Sequence, residues 1–383
     1  MSYQVNPPRP PFFKGGSEST IWLRNKFFSP RIPKSSFALL LSLLLAACST
    51  APPLETFEPP VYPAPPDEPR FVFERSLRYN TNIEPLTTAM KLRRYATGEV
   101  DNIKGLVKPY GVAAHNGRVY VTDTVQRSVI MFDIANSGYK EFGTEKPGQL
   151  IKPIGIDISA QGEVFVADVS ARHIVVFDLE GKFLRLIGNQ ALFERPAGIA
   201  VSPDGTRLYV VDTGGVDSQK HHLLILDAQS GEHLDTIGER GGATGQFNLP
   251  LQVSSAADGS VYVVDKGNFR VQAFDAEGNY KFSFGTLGRY PGQFFSPKGI
   301  STDPDGNIYV VDTAFGNVQI FNPKGELLMV IGQRGQNSAP GNYMLPAGID
   351  VGSDGRVYIA DQFFRKVDIY RPIRLDSPDK PAE

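Results

Sequence analysis

Six aspartates recur at one place in a repeated apolar run: VYVTD ends at Asp123, VFVAD at Asp168, LYVVD at Asp212, VYVVD at Asp265, IYVVD at Asp312 and VYIAD at Asp361. Carboxylates at fixed spacing are what a metal site or a general acid–base pair would use. Each of these, however, closes an apolar run and opens a turn, where a carboxylate accepts backbone N–H bonds. A residue repeated six times meets a need repeated six times, so a structural role is expected for the set. Five histidines, His115, His173, His221, His222 and His233, are the nitrogen donors on offer. Zinc needs three converging ligands. His221 and His222 are adjacent, which suits one ligand and one bystander. Calcium stays open, because Asp, Asn and carbonyl oxygens are plentiful and their spacing is not diagnostic; no cofactor is otherwise expected. The single cysteine, Cys48, excludes an intrachain disulfide framework and any Cys-rich metal cluster. No nucleophile elbow, P-loop or haem-attachment motif is present.

Cys48 follows FALLLSLLLAA, residues 37–47, and Arg24, Lys26, Arg31 and Lys34 precede that run. Charge, a short apolar core and small residues form the layout of a secretory signal. The run is too short for a spanning helix, which needs about 20 apolar residues. Leu45-Ala46-Ala47-Cys48 resembles a bacterial lipobox, and by that resemblance Cys48 becomes an acylated N-terminus after removal of residues 1–47. Ser49 stands where an inner-membrane retention signal usually has Asp, so the resemblance implies an outer-membrane address in the cell envelope. Thirty-six residues before the apolar run is long for a signal, which leaves the true start open between Met1 and a downstream position. Residues 1–47 hold six of the 39 basic and one of the 41 acidic side chains, so the remainder carries a net charge of −7. An acidic, exported chain argues against nucleic acid as a partner. A strongly basic loop face would reopen that question; a mixed or acidic one would close it.

Residues 48–70 are read as a Pro-rich tether, with eight prolines between residues 49 and 70. They favour extended polyproline II, long enough to hold a domain on the order of 60 Å from a bilayer at ~3.1 Å per residue. Beyond them the chain repeats. Pro-x-Gly or a variant recurs at Pro109, Pro153, Pro196, Pro250, Pro297 and Pro346, at intervals of 44, 43, 54, 47 and 49 residues. Each Asp of the ladder falls 14 to 16 residues after its proline. A third β-rich run follows (VIMFD, IVVFD, LLILD, VQAFD, VQIFN, VDIYR), then a Gly-containing turn and a fourth run such as GELLMVIG. Four short strands per ~40–50 residues are the mark of a β-propeller. Stacking the units around an axis buries the faces that one unit cannot bury alone.

These marks resemble the NHL repeat family of six-bladed propellers. Pro-x-Gly-Ile, the Tyr-Val-x-Asp strand end, the Val-Gln-x-Phe strand, the terminal Ile-Gly and the linkers Gly245-Gln246-Phe247 and Gly292-Gln293-Phe294 carry the likeness. The expected fold is all-β, a six-bladed propeller of four-stranded blades over residues 71–373, with 374–383 as a C-terminal tail. The sixth unit has three clear strands, so Arg70-Phe71-Val72-Phe73-Glu74 is expected to complete it. Residues 86–98 are read as a short helix or a loop over one face.

If each unit starts at the axis and runs outward, the Pro-x-Gly turns and the loops after each Asp share one face. That face collects Tyr110, Lys298, Phe269, Phe315, Phe363 and Phe364, with Arg127, Arg172, Arg270, Arg365 and Lys366. Aromatics and arginines on one rim suit a protein interface, although any one Phe could equally wedge between blades. The third unit carries five extra residues within 214–222, including His221 and His222; an enlarged loop is a place for local function. The expected function is a membrane-anchored, non-catalytic envelope scaffold that binds a protein or other ligand through this loop face. The alternative is a metal-dependent (calcium or zinc) propeller lyase or hydrolase. By resemblance to the zinc lyases an axial histidine would stand at the x of Pro-x-Gly, and none does.

Overall fold

The computed structural model describes residues 57–83, 87–98, 103–215 and 217–373. The signal, Cys48, the first part of the tether and the tail after 373 lie outside the described residues. Each repeat unit is an antiparallel sheet. In blade 1 the strands are Pro109–His115, Arg118–Asp123, Ser128–Asp133 and Gly138–Phe142, paired in that order. The innermost strands of the other blades are Pro153–Ile158, Pro196–Val201, Pro250–Ser255, Pro297–Thr302 and Pro346–Val351. Each inner strand touches the next, and the last touches the first, so six sheets close around an axis.

Alternation in the sequence faces two neighbours rather than core and water. Val119, Tyr120 and Val121 are all without exposed surface, because both faces of the second strand are covered by adjoining blades. Among the described residues the buried side chains form six apolar clusters, one for each seam between consecutive blades. In the seam between blades 1 and 2, Phe142 meets Phe177 edge-on at 5.1 Å. Burying a side chain of that size is worth about 1.5–3 kcal/mol.

The family marks turn out to be paired contacts. The Gly ending blade 3, Gly238, has φ of 81°, and the ring of Phe247 from the following linker lies where its Cβ would stand. Gly285 and Phe294 repeat this one blade later. The glutamine of each Val-Gln-x-Phe strand clamps the same linker. Gln319 Oε1 accepts from Gly292 N at 2.8 Å and its Nε2 donates to Gln293 O at 2.8 Å. Gln272 does the same for Gly245 and Gln246. The inner-strand glycines serve the axis: a Cβ on Gly155 would strike the carbonyl of Ala197 in the next blade, and one on Gly348 that of Tyr110. Pro-x-Gly is therefore the start of an inner strand, not a turn as the sequence suggested, and its glycine permits close backbone approach.

Closure is by the N-terminal strand. Phe71–Leu77 pairs antiparallel with Lys366–Pro372, with Phe73 opposite Tyr370 and Leu77 opposite Val367. The tether reading needs a correction at its C-terminal end. Val61–Tyr62 forms a further short strand on Phe71–Leu77, and the Tyr62 ring packs edge-on against Tyr370 at 5.7 Å. An apolar anchor and two backbone bonds, Arg70 N to Tyr62 O and Phe73 N to Pro60 O, outweigh the prolines' preference for an extended chain. Thr88–Thr97 is helical, as the reading of 86–98 allowed.

The closing seam holds a buried ion pair. Lys366 Nζ and Asp368 Oδ2 are 2.6 Å apart with neither side chain exposed, and Ser76 of the closing strand donates to Asp368 Oδ1 at 2.6 Å. Lys366, expected on the loop face, is thus interior. Its ammonium also lies 4.9 Å from the centre of the Tyr343 ring and donates to Ala339 O. Lys366→Ala should cost about 3–5 kcal/mol in urea unfolding, because it leaves the Asp368 carboxylate buried without its cation. A loss under 1 kcal/mol would show that the pair does not hold the seam.

Candidate functional site

The loop face is built on the Asp ladder. All six carboxylates have no exposed surface. Asp312 Oδ2 accepts from Phe295 N at 2.7 Å and Ser296 N at 3.0 Å, in the linker that enters the blade. Its Oδ1 accepts from Ala314 N at 2.9 Å and Phe315 N at 3.2 Å, in the loop that leaves the strand. Asp123 does likewise for Val107, Lys108, Val125 and Gln126. Asp168, Asp212 and Asp361 bind the same two segments of their blades. In blade 4 side chains replace part of the set. Asp265 accepts from Asn248 N at 2.7 Å, Asn268 Nδ2 at 2.8 Å and Arg270 Nε at 2.9 Å. The ladder is the structural device expected of it, with its oxygens turned to amides.

Four residues after the Asp of blades 1, 2, 4, 5 and 6 the chain takes a left-handed turn. Arg127, Arg172, Phe269 and Arg365 have φ of 59°, 58°, 56° and 54°, and blade 5 has Gly316 at 66°. An L-residue there carries strain of roughly 1–2 kcal/mol, which glycine avoids. Arg127, Arg172 and Arg365 are nevertheless exposed, and among the described residues their guanidinium groups make no ion pair. Phe269 is half-buried against the seam of blades 4 and 5.

The structure sorts the other candidates. Arg270 is held inward by Asp265 and by the carbonyls of Ala243 and Gln246. His221 is fully buried; its Nδ1 accepts from Leu249 N at 3.2 Å and its Nε2 is enclosed without a partner. His222 opens the strand His222–Asp227, and burial lowers its pKa. Neither histidine is therefore a freely exposed ligand: His221 is buried and the Nε2 of His222 is enclosed. Phe363 is 56% exposed and meets the half-buried Phe364 edge-on. Phe315 is half-buried and lines a cleft of about 370 Å³ with Arg289, Tyr290 and Arg334. Tyr290, 77% exposed, escaped the sequence reading because it lies in a linker with no repeated partner.

Around the axis the same face is cationic. Lys108, Lys152 and Arg195 each precede an inner-strand proline, Lys266 follows Asp265, and Lys298 stands one residue inside its strand. Their places in the sequence are legible as Pro −1, Asp +1 and, for Lys298, Pro +1, but their convergence is not. The opposite end is acidic: Asp133, Asp227, Asp258 and Asp275 lie in its turns with pKa values held down, Asp133 and Asp258 against their burial, by N–H and hydroxyl donors of their own turns, and Asp204 is held at about 2. The net charge of the chain thus hides a basic loop face. Composition alone gives no argument against a polyanion there, and the expectation of no nucleic acid rests on the export signal.

From the acidic end a channel of about 860 Å³ enters between the inner strands. It contains Asp157 and Asp350. Asp157 Oδ2 accepts from Val201 N of the next blade at 2.7 Å, and Asp350 Oδ2 from Ala114 N at 2.7 Å. Asp350 Oδ1 also takes the Ser301 hydroxyl at 3.1 Å. Burial, with Asp350 adding to it, pushes Asp157 up to about 7. Among the described residues no three His, Cys, Asp or Glu side chains converge as a metal cage.

Asp312→Ala should cost roughly 3 kcal/mol in chemical denaturation, because four amides of the loop face lose their acceptor. A catalytic aspartate would instead leave stability unchanged. Asp157 makes stability pH-dependent with a definite sign. Its folded pKa lies above the unfolded value, so its contribution is complete below about 4 and is lost as pH rises through 7. Asp157→Asn should therefore flatten the decline of stability between pH 5 and 8 in urea titrations. Parallel pH profiles for the two proteins would refute this.

Comparison with known proteins agrees with this architecture. The DUF5128 family, described as 6-bladed beta-propeller, matches residues 302–371. Protein brain tumor of Drosophila melanogaster is 30% identical over 153 residues, 38% of this chain and 14% of that protein. NHL repeat-containing protein 3 of Homo sapiens is 36% identical over 90 residues, 23% of this chain and 24% of that protein. The match thus spans a quarter or less of either relative. A gluconolactonase of Xanthomonas campestris superposes with a TM-score of 0.54 at 16% identity, over 70% of this chain and 87% of its own, a likeness of fold alone. Six closed blades, the recurring marks and the NHL relatives together make this chain an NHL-type six-bladed β-propeller.

Proposed function

We propose that the protein is a non-catalytic scaffold, anchored to the bacterial cell envelope through lipid on Cys48 and sorted to the outer membrane. Its loop face docks an acidic surface of another envelope protein. The observation that carries this reading is the row of three exposed arginines, Arg127, Arg172 and Arg365, held in left-handed turns where Gly316 does the same job without strain. Backbone strain that the fold does not need is a pointer to function. Arginines and the exposed Phe363 and Tyr290 supply the composition of an interface hot spot, and the axial lysines supply long-range attraction.

The runner-up, a calcium- or zinc-dependent lyase or hydrolase, draws on the channel carboxylates Asp157 and Asp350. Both already accept backbone amides from neighbouring blades, and among the described residues the third ligand that zinc requires is not beside them. The channel donors are oxygens, which would suit calcium better. Added calcium that raised the melting temperature of the wild type, and not of Asp350→Asn, would favour this reading.

The docking reading is tested by crosslinked capture from the protein's own membranes. The triple variant Arg127→Gly, Arg172→Gly, Arg365→Gly should lose a stoichiometric acidic partner. It should be as stable as the wild type or more so, by up to about 1 kcal/mol per site, since relief of strain is offset in part by a more flexible unfolded chain. Capture by the wild type should weaken steeply with salt. A partner retained by the triple variant would remove the loop-face assignment, and a Cys48→Ser protein still sedimenting with membranes would remove the anchor.

A further inference from the structure

The axis of the loop face holds a lysine that, among the described residues, has an aromatic ring but no carboxylate as its partner. One residue inside each inner strand stand Tyr110, Ile154, Ala197, Leu251, Lys298 and Ala347. Lys298 and Tyr110 belong to blades 5 and 1. Between them comes Ala347, too short to separate them, so the Lys298 ammonium reaches past it and lies 4.5 Å from the centre of the Tyr110 ring. Among the described residues Lys298 Nζ makes no ion pair. The nearest acidic influence is Asp361, whose oxygens already hold the amides of Met344, Leu345 and Phe364.

The surroundings favour negative charge. Burial lowers the Lys298 pKa to about 8, and Lys266 and Lys108 add to the effect, while Asp361 opposes it. Burial raises the Tyr110 pKa to about 12, with Arg195 opposing, so its hydroxyl keeps its proton and remains a donor at neutral pH. One desolvated ammonium beside a protonated hydroxyl, with the exposed Lys108 and Arg195 and the half-buried Lys266 around it, gains from an oxyanion, since a charge-assisted bond in a partly dry site is stronger than one in water.

We propose that the axial well formed by Lys298 and Tyr110 is a binding site for a small oxyanion group, such as a carboxylate or a sulfate-like group. Lys298 Nζ and Tyr110 Oη are its donors, and Lys108, Lys266 and Arg195 supply the surrounding positive charge. The inference deepens the reading of a basic loop face, yet it concerns a site that fills without a docked protein. The group arrives either as a free small anion or as an acidic side chain of the partner.

Inorganic sulfate is the probe, because its charge does not change between pH 7 and 9. Calorimetric titration into the full chain in detergent should show one site. Its affinity should fall about tenfold from pH 7 to pH 9, as an ammonium with a pKa near 8 deprotonates. Lys298→Gln should lose binding at both pH values. Lys298→Arg, whose guanidinium does not titrate in this range, should bind about equally at pH 7 and 9. Sulfate should also slow acylation of Lys298 by acetic anhydride and leave exposed Lys140 unaffected. Sulfate binding unaltered in Lys298→Gln, or an affinity flat with pH in the wild type, would overturn the proposal. Sulfate that binds and also displaces the captured partner assigns the well to a partner side chain; sulfate that binds without displacing it assigns the well to a free anion. The triple arginine variant should keep sulfate binding while losing the partner, which separates failure of the well from failure of the docking face.

Discussion

The loop face depends on carboxylates that never see it. Each blade ends its second strand in an aspartate with no exposed surface, whose oxygens accept amides from the incoming linker and the outgoing loop. A buried carboxylate is tolerable where several N–H donors replace its water. The same donors gain an acceptor that a turn would otherwise lack. Two irregular segments thereby become a fixed surface, and side chains such as Phe315 and Arg172 take defined places on a rigid rim. A binding face made of loops needs such a foundation, because loops alone carry too few buried contacts to hold a geometry.

Around the axis the constraint is steric. Inner strands of adjoining blades approach until a glycine of one faces a carbonyl of the next, and backbone N–H groups of one strand then donate to Asp157, Asp350 and Ser301 of its neighbour. Blade 4 breaks the pattern with Gln252, whose side-chain oxygen is enclosed without a partner. At the outer edge the ring is fastened by the N-terminal strand with its Ser76–Asp368–Lys366 contact, so the two ends of the folded domain share one blade. That arrangement removes an open seam and makes closure a long-range event, since residues near 73 must find residues near 370.

Charge is distributed by the same topology. Every blade sends its post-Asp loop and its entering linker to one end and its tight turns to the other. Turn aspartates such as Asp204 and Asp275, useful for capturing amides, therefore gather at the channel end. Cations placed before the prolines gather at the loop end. A chain with modest net charge acquires two faces of opposite sign, and the field a partner meets is that of one face rather than of the sum.

Much of the fold was legible in order: the repeat interval, the strand-end aspartates, six blades, and the closing strand at Phe71. Local patterns repeated six times report a repeated environment, and the third-strand glutamines and Gly-Gln-Phe linkers are one contact seen from both sides. What lay beyond the sequence were relations between blades and departures from the repeat. The sequence marked Lys366 and Arg270 as rim cations, but a buried aspartate draws each inward, Asp368 two residues along the same strand for Lys366 and Asp265 on the neighbouring strand for Arg270. It marked residues 48–70 as extended, but Tyr62 finds the Tyr370 ring and folds part of that segment back. Lys108, Lys266 and Lys298 are separated by up to 190 positions and share no motif. Only closure of the ring brings them to one axis, because a charge cluster made of one residue per blade has no local signal until the blades are placed around their common centre.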